Sequence, residues 1–181
     1  LGCVGCLAAL GWLVRENLFS PDDAPPPNRA HAVVGFFLAN HTQREIAGQR
    51  GTVVLILPPR RGLDAQTAET YVNAFRAPLL RGQAGLELEV VELDAPKKQA
   101  PAGSLPLAAF QEVVARFPKA VAFVSYAGVP PDIASLFPAA QGRNPPFLLF
   151  DPHRSTNWVS ALKQTRIRCV IVPRPDVNPH E

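Results

Sequence analysis

Seven polar or charged residues stand directly after predicted strands, where parallel α/β sheets present side chains to ligands. These residues are Arg60, Arg61, Ser125, Tyr126, Asp151, His153 and Arg154. Neighbouring guanidinium groups such as Arg60 and Arg61 can hold an anion, and Ser125 and Tyr126 can supply hydroxyl groups. Asp151 and His153 can move a proton if their side chains are oriented together. The residue types therefore predict candidate ligand contacts at one edge of a sheet.

The arginine pair after the first strand and the charged residues after the fourth strand also have a purely structural explanation. Arg60 and Arg61 can be a solvated loop pair beside the start of a helix. Asp151-Pro152-His153-Arg154 has the composition of a turn, and a loop histidine near a strand end is more often a solvated or capping residue. We favour the turn over acid–base catalysis.

Sequence motifs of enzymes and cofactor-binding proteins with this topology are absent. The sequence contains no Gly-x-Gly-x-x-Gly, no phosphate-loop Gly-Lys-Ser/Thr and no Gly-x-Ser-x-Gly. A flavodoxin requires a hydroxyl-rich loop where Pro58-Pro59-Arg60 stands, and a phosphoacceptor domain requires an aspartate where Ser125 stands. The net charge is +3, but the basic residues are scattered. We therefore predict a non-enzymatic protein without cofactor, metal or nucleic-acid partner.

The elements that position the seven residues follow from hydrophobic patterning. Short apolar runs alternate with segments of helical periodicity, which is typical of an α/β fold. The runs are Val53–Leu57, Leu86–Leu93, Val121–Val124, Phe147–Phe150 and Cys169–Val172. Helices are predicted from the N-cap Asp64 to about Pro78, from Leu107 to Phe117, over Pro131–Phe137 and over Ser155–Gln164.

One predicted strand differs from the others because only Leu86-Glu87-Leu88-Glu89-Val90 alternates apolar with charged residues. Alternation suits an edge strand with one side in water, whereas uniformly apolar strands are covered on both faces. We predict a doubly wound, mostly parallel five-stranded sheet of order 2-1-3-4-5. Right-handed crossovers then place helices on both faces, which is the flavodoxin-like arrangement.

A further helix is predicted before the first strand. Apolar residues recur there at helical spacing, and Asn28 is a candidate cap. These residues are Ala30, Val33, Val34, Phe37 and Leu38. A strand over His31–Ala39 is the alternative, because Val-Val-Gly-Phe-Phe-Leu is rich in strand-forming residues.

The first 19 residues predict an apolar membrane helix, because Leu1–Val14 carries no charge. A span needs about 20 apolar residues, so this interpretation requires further residues before Leu1. A cleaved signal peptide, a lipoprotein start at Cys3 and a buried helix are the alternatives. Residues 20–29 are proline-rich and predict a stiff spacer, residues 30–175 the α/β domain, and residues 176–181 a tail.

The segment Thr52-Val53-Val54-Leu55-Ile56-Leu57-Pro58, its following helix and the edge strand carry a family resemblance. Over Gly51–Pro173 the chain resembles one lobe of a type I periplasmic-binding protein, which implies binding of a small solute. From the apolar leader we predict a membrane-anchored accessory or interaction subunit of a membrane protein complex. Its domain is expected to be extracytoplasmic, in the periplasm. The alternative prediction is a small-molecule or anion-binding sensor lobe.

Overall fold

The computed structural model describes residues 29–60, 63–81, 84–94, 107–128, 130, 133, 145–152, 158–163 and 167–173. The elements are α1 (Arg29–Glu45), β1 (Gly51–Leu57), α2 (Ala65–Leu80), β2 (Leu86–Glu92), α3 (Leu107–Arg116), β3 (Ala122–Ser125), β4 (Phe147–Phe150), α4 (Trp158–Lys163) and β5 (Ile167–Ile171). All five predicted strands are confirmed, and their ends differ from the predicted ends by at most two residues.

In the described parts of the chain, the five strands form a parallel sheet of order β2-β1-β3-β4-β5, as predicted. β1 lies between β2 and β3, and its residues Val53–Leu57 are buried because helices cover both sides. β2 lies at the edge, where Glu87 and Glu89 are exposed. The alternating pattern therefore identified the edge strand correctly.

Helices cover both faces of this sheet, as the crossover rule predicts. On one face, α1 and α2 pack over Val53, Leu55 and Leu57 of β1. On the other face, α3 packs over Val54 and Ile56, and Trp158 of α4 contacts the same cluster. Successive residues of β1 thus enter different halves of the core, because side chains alternate along a strand.

The segment before β1 is the helix α1, so the alternative prediction of a strand over His31–Ala39 is wrong. The predicted apolar stripe is buried only in part, since Leu38 is fully buried and Val34 packs against the core, whereas Val33 and Phe37 are exposed. The buried residues are Gly35, Leu38, Ala39 and Thr42. Gly35 explains why its own side of α1 packs against α2, because a Cβ there would come within 2.8 Å of the Cβ of Ala74 on α2. The small residue lets the two helices approach closely.

Local signals set the ends of α2 and α3. Asp64 caps α2 as predicted, since its side chain accepts a hydrogen bond from the backbone N–H of Thr67. Pro78 lies in the last turn of α2, which ends two residues later. α3 ends at Arg116, shortly before Pro118.

Several predictions concern parts of the chain outside the described residues. The apolar segment Leu1–Val14 and the spacer of residues 20–28 belong to these parts, as does most of the predicted helix over Pro131–Phe137. Of the predicted helix over Ser155–Gln164, the described part is helical as α4. Among the described helices, none has both the length and the apolar character needed to cross a membrane.

Candidate functional site

Arg60 follows β1 and binds the end of the neighbouring strand β2. Its Nε lies 2.9 Å from Oε2 of Glu92, and its backbone N–H donates to Oε1 at 3.0 Å. The hydrogen bond and the negative charge of Glu92 raise the pKa of Arg60 above its ordinary value. The Arg60 side chain is nevertheless 90% exposed, so a ligand in solution can reach it.

Ser125 ends β3 and is buried rather than directed towards a ligand. Its hydroxyl donates to the carbonyl oxygen of Gly128 at 2.7 Å and accepts from the backbone N–H of Ala127 at 3.2 Å. Gly128 has a φ of +80°, a conformation that favours glycine. The observed hydrogen bonds of Ser125 therefore stabilise the turn after β3.

Asp151 follows β4 and is also buried, at 1% exposure. Its Oδ2 accepts a hydrogen bond of 3.0 Å from the indole Nε1–H of Trp158. A Cβ at Gly128 would lie 3.7 Å from its Oδ1, so the carboxylate lies beside the turn after β3. Asp151 thus connects that turn to α4.

Three of the seven predicted residues, Arg61, His153 and Arg154, lie outside the described residues. The paired guanidinium groups and the Asp151–His153 proton pair consequently remain predictions.

Tyr126 lies in the core beneath α1 and α2. Its ring is 2% exposed and packs against Tyr71 of α2, with ring centroids 4.2 Å apart. Among the described residues, no hydrogen-bond partner reaches its hydroxyl. Burial, reinforced by neighbouring Tyr71, raises the pKa of Tyr126 well above its ordinary value. The phenol of Tyr126 is therefore neutral at physiological pH.

The hydroxyl of Tyr71, unlike that of Tyr126, has a hydrogen-bond partner among the described residues. It shares a hydrogen bond of 2.6 Å with Nδ1 of His31, in the first turns of α1. Burial raises the pKa of Tyr71 to about 12. This bond links α1 to α2 through two side chains that are distant in sequence.

The two tyrosines give a matched pair of substitutions with different expected effects on stability. Tyr71→Phe is expected to lower the free energy of unfolding by about 0.5–1.5 kcal/mol, because it removes the bond to His31. Tyr126→Phe removes a buried hydroxyl without a described partner, so it is expected to be neutral or to stabilise by up to about 1 kcal/mol. Urea unfolding followed by circular dichroism measures both. A loss in Tyr126→Phe as large as in Tyr71→Phe would contradict the unpartnered hydroxyl.

A cleft of about 720 Å³ lies where β1 and β2 end, alongside α2. Its apolar lining comes from both strand-end and helix residues, namely Leu57, Pro58, Leu63, Ala65, Ala68 and Val72. Its polar lining residues are Arg60, Asp64, Glu69, Asn73, Arg76 and Glu92. Of the seven residues predicted from the sequence, only Arg60 is among these described lining residues.

Some polar side chains of the cleft already have hydrogen-bond or ion-pair partners among the described residues, and others do not. Arg60 and Glu92 bind each other. The carboxylate of Asp64 accepts hydrogen bonds of 2.8 and 2.7 Å from the backbone N–H and hydroxyl of Thr67, which lower its pKa. Within the described residues, no hydrogen bond or ion pair engages the side chains of Glu69, Asn73 or Arg76. These three groups remain available to a ligand.

Sequence reasoning missed the α2 side of the cleft. Glu69, Asn73 and Arg76 are spaced four and three residues apart, which places them on one flank of a helix. Val72 lies beside them and lines the same cleft. This spacing was visible in the sequence, but a polar stripe on a predicted helix is also what any solvated face shows.

The parallel strand order and the helices on both faces define a doubly wound, flavodoxin-like α/β fold. The chain is similar to a crystal structure from Bacteroides fragilis described as a LacI transcriptional regulator. The TM-score is 0.60 at 12% sequence identity, and the match covers 83% of this chain. It covers 49% of the other, so this chain spans about half of that protein's length. At this identity the similarity concerns the fold alone.

No protein-family model matches the sequence, and no curated protein matches it.

Proposed function

We propose that this domain is a solute-binding lobe and that the cleft beside α2 receives a small polar molecule with an anionic group. The cleft carries this proposal. Its volume of about 720 Å³ falls in the range of about 300–1,000 Å³ found for small-molecule sites. It also lies at the carboxyl ends of parallel strands, where open α/β sheets bind ligands.

The charge of the expected ligand follows from the groups that the protein leaves unengaged. Arg60 is already paired with Glu92, so Arg76 is the arginine available for a new ion pair among the described lining residues. A guanidinium group binds carboxylate or phosphate through parallel N–H donors. Asn73 can donate or accept beside it, and Glu69 is suited to a hydroxyl or ammonium group on the same molecule.

Arg76→Gln tests this assignment because it removes the charge while keeping a polar side chain. Arg44→Gln is the matched control, since Arg44 is an exposed arginine on α1 that does not line the cleft. The measurement is thermal unfolding of each variant in titrations with small carboxylates, inorganic phosphate and uncharged sugars.

We expect an anionic compound to stabilise the wild type and Arg44→Gln equally, by about 2.7 kcal/mol at a hundred times its Kd. Arg76→Gln is expected to bind it about tenfold more weakly or worse. If no anion stabilises the wild type at millimolar concentration, or if Arg76→Gln binds as the wild type does, the proposal is wrong.

A second candidate function is that of a membrane-anchored interaction subunit in the periplasm. The apolar segment Leu1–Val14 motivates it, because these 14 residues carry no charge. Protein partners in a membrane complex would then contact the domain. Insertion of the full chain into lipid vesicles, judged by resistance to alkaline extraction, tests the anchor.

A further inference from the structure

Three large apolar side chains on α1 face solvent. Val33 is 63% exposed, Phe36 57% and Phe37 47%. We call these three residues the outer face of α1. The opposite side of the helix is already packed, since Leu38 and Ala39 are fully buried against the sheet and α2. The outer face is therefore not a core surface awaiting part of the described domain.

We propose that the outer face of α1 lies on an anionic lipid surface. An amphipathic helix in this position inserts its apolar side chains at the boundary between headgroups and acyl chains, and basic residues contact the lipid phosphates. This inference rests on the second candidate function, in which the segment Leu1–Val14 anchors the chain in a membrane. Only such an anchor would keep so small an apolar face at the lipid surface.

The charges of α1 suit an anionic surface. Arg44 lies seven residues after Phe37 and is exposed on the same side of the helix as Val33. The only acidic residue of α1 is Glu45, which pairs with Arg168 at the start of β5 at 3.6 Å. No carboxylate of α1 therefore opposes negatively charged lipids on the outer face.

The size of the outer face argues against a second copy of the chain as its occupant. A stable dimer buries about 800 Å² on each partner, whereas one fully buried aromatic side chain contributes about 150–250 Å². Two half-exposed phenylalanines and a valine fall well short of that area. A weak lipid contact needs no such area if the chain is tethered, because tethering raises its effective concentration.

The position of α1 in the chain supports such a tether. The apolar run ends at Val14, and α1 begins 15 residues later at Arg29. Because a chain spans at most about 3.6 Å per residue, these 15 residues cannot separate α1 from Val14 by more than about 54 Å. An anchored chain would consequently keep α1 within reach of the lipid.

Spin labels on the full chain in vesicles test the inference. The background carries Cys3→Ala, Cys6→Ala and Cys169→Ala, so that one introduced cysteine takes the label. Val33→Cys reports on the outer face, and Glu87→Cys on the exposed edge strand β2 is the control. Vesicles of phosphatidylcholine with phosphatidylglycerol are compared with vesicles of phosphatidylcholine alone. The readout is relaxation of the label by a water-soluble nickel complex and by oxygen.

We expect the label at position 33 to be several-fold less accessible to nickel than the label at position 87, and more accessible to oxygen. This protection should be stronger with phosphatidylglycerol and should weaken when Phe36→Ser and Phe37→Ser are introduced together. Equal nickel access at both positions in a chain that resists alkaline extraction would overturn the lipid contact alone. A chain that alkali extracts would overturn the anchored location and this inference with it. Dipolar broadening between two labels at position 33 would show a second copy instead.

Discussion

Phe75→Ala is expected to lower the free energy of unfolding by about 3–5 kcal/mol. Phe75 is fully buried in α2, where it packs into the cluster that joins α1, α2 and the sheet. Removing its ring loses the transfer free energy of the side chain and leaves a cavity that close-packed neighbours fill only in part. Since domains of this size are stable by about 5–15 kcal/mol, the loss is a large fraction of the total. Urea unfolding of the full chain in detergent, followed by far-ultraviolet circular dichroism, measures it.

Phe37→Ala is the matched control because it removes the same side chain from α1, where the ring is 47% exposed. Its expected effect is within about 0.5 kcal/mol of the wild type, as for most surface substitutions. A loss comparable to that of Phe75→Ala would show that the protein itself buries the outer face of α1. It would therefore also contradict the proposed lipid contact.

Asp151→Ala is expected to cost about 1–3 kcal/mol, the second largest effect that we predict. The substitution leaves the indole N–H of Trp158 without the acceptor that it has at 3.0 Å. Asp151→Asn retains an oxygen acceptor of nearly the same shape, so it is expected to keep most of this stability. In a Trp12→Phe background, the emission of Trp158 should shift with Asp151→Ala more than with Asp151→Asn.

Comparing the two Asp151 variants separates structure from chemistry. If asparagine restores stability, this side chain contributes to the fold as a hydrogen-bond acceptor, as it does for Trp158. A loss with asparagine as large as with alanine would show that the negative charge is required. That result would contradict a purely hydrogen-bonding role for Asp151.

Much of the fold could be predicted because its signals are local. The five apolar runs predict buried strands, and the alternating glutamates Glu87 and Glu89 predict the edge position of β2. The crossover rule then allows few strand orders, and the predicted one is correct. The N-cap Asp64 also follows from local chemistry, because the capping bond spans only three residues.

The candidate site was predicted much less well. The position of a residue directly after a strand does not determine whether its side chain points outward to a ligand or inward to the protein. Ser125 and Asp151 turn inward and accept or donate hydrogen bonds there, while Tyr126 packs against Tyr71. Among the described candidates, only Arg60 lines the cleft, and its partner Glu92 is 32 residues away in sequence. Such pairings depend on strand register, which single residues do not encode.

The parallel sheet, its edge strand and the helical layers follow from the sequence, because periodicity and caps act over a few neighbouring residues. The exposure of Val33 and Phe37 on α1, and the place where a ligand can bind, depend on packing between distant segments. The close approach of Gly35 to Ala74 turns Val33 and Phe37 outward, although their spacing predicts a buried stripe. The cleft likewise forms only when α2 packs beside the ends of β1 and β2, since its lining comes from segments that are distant in sequence.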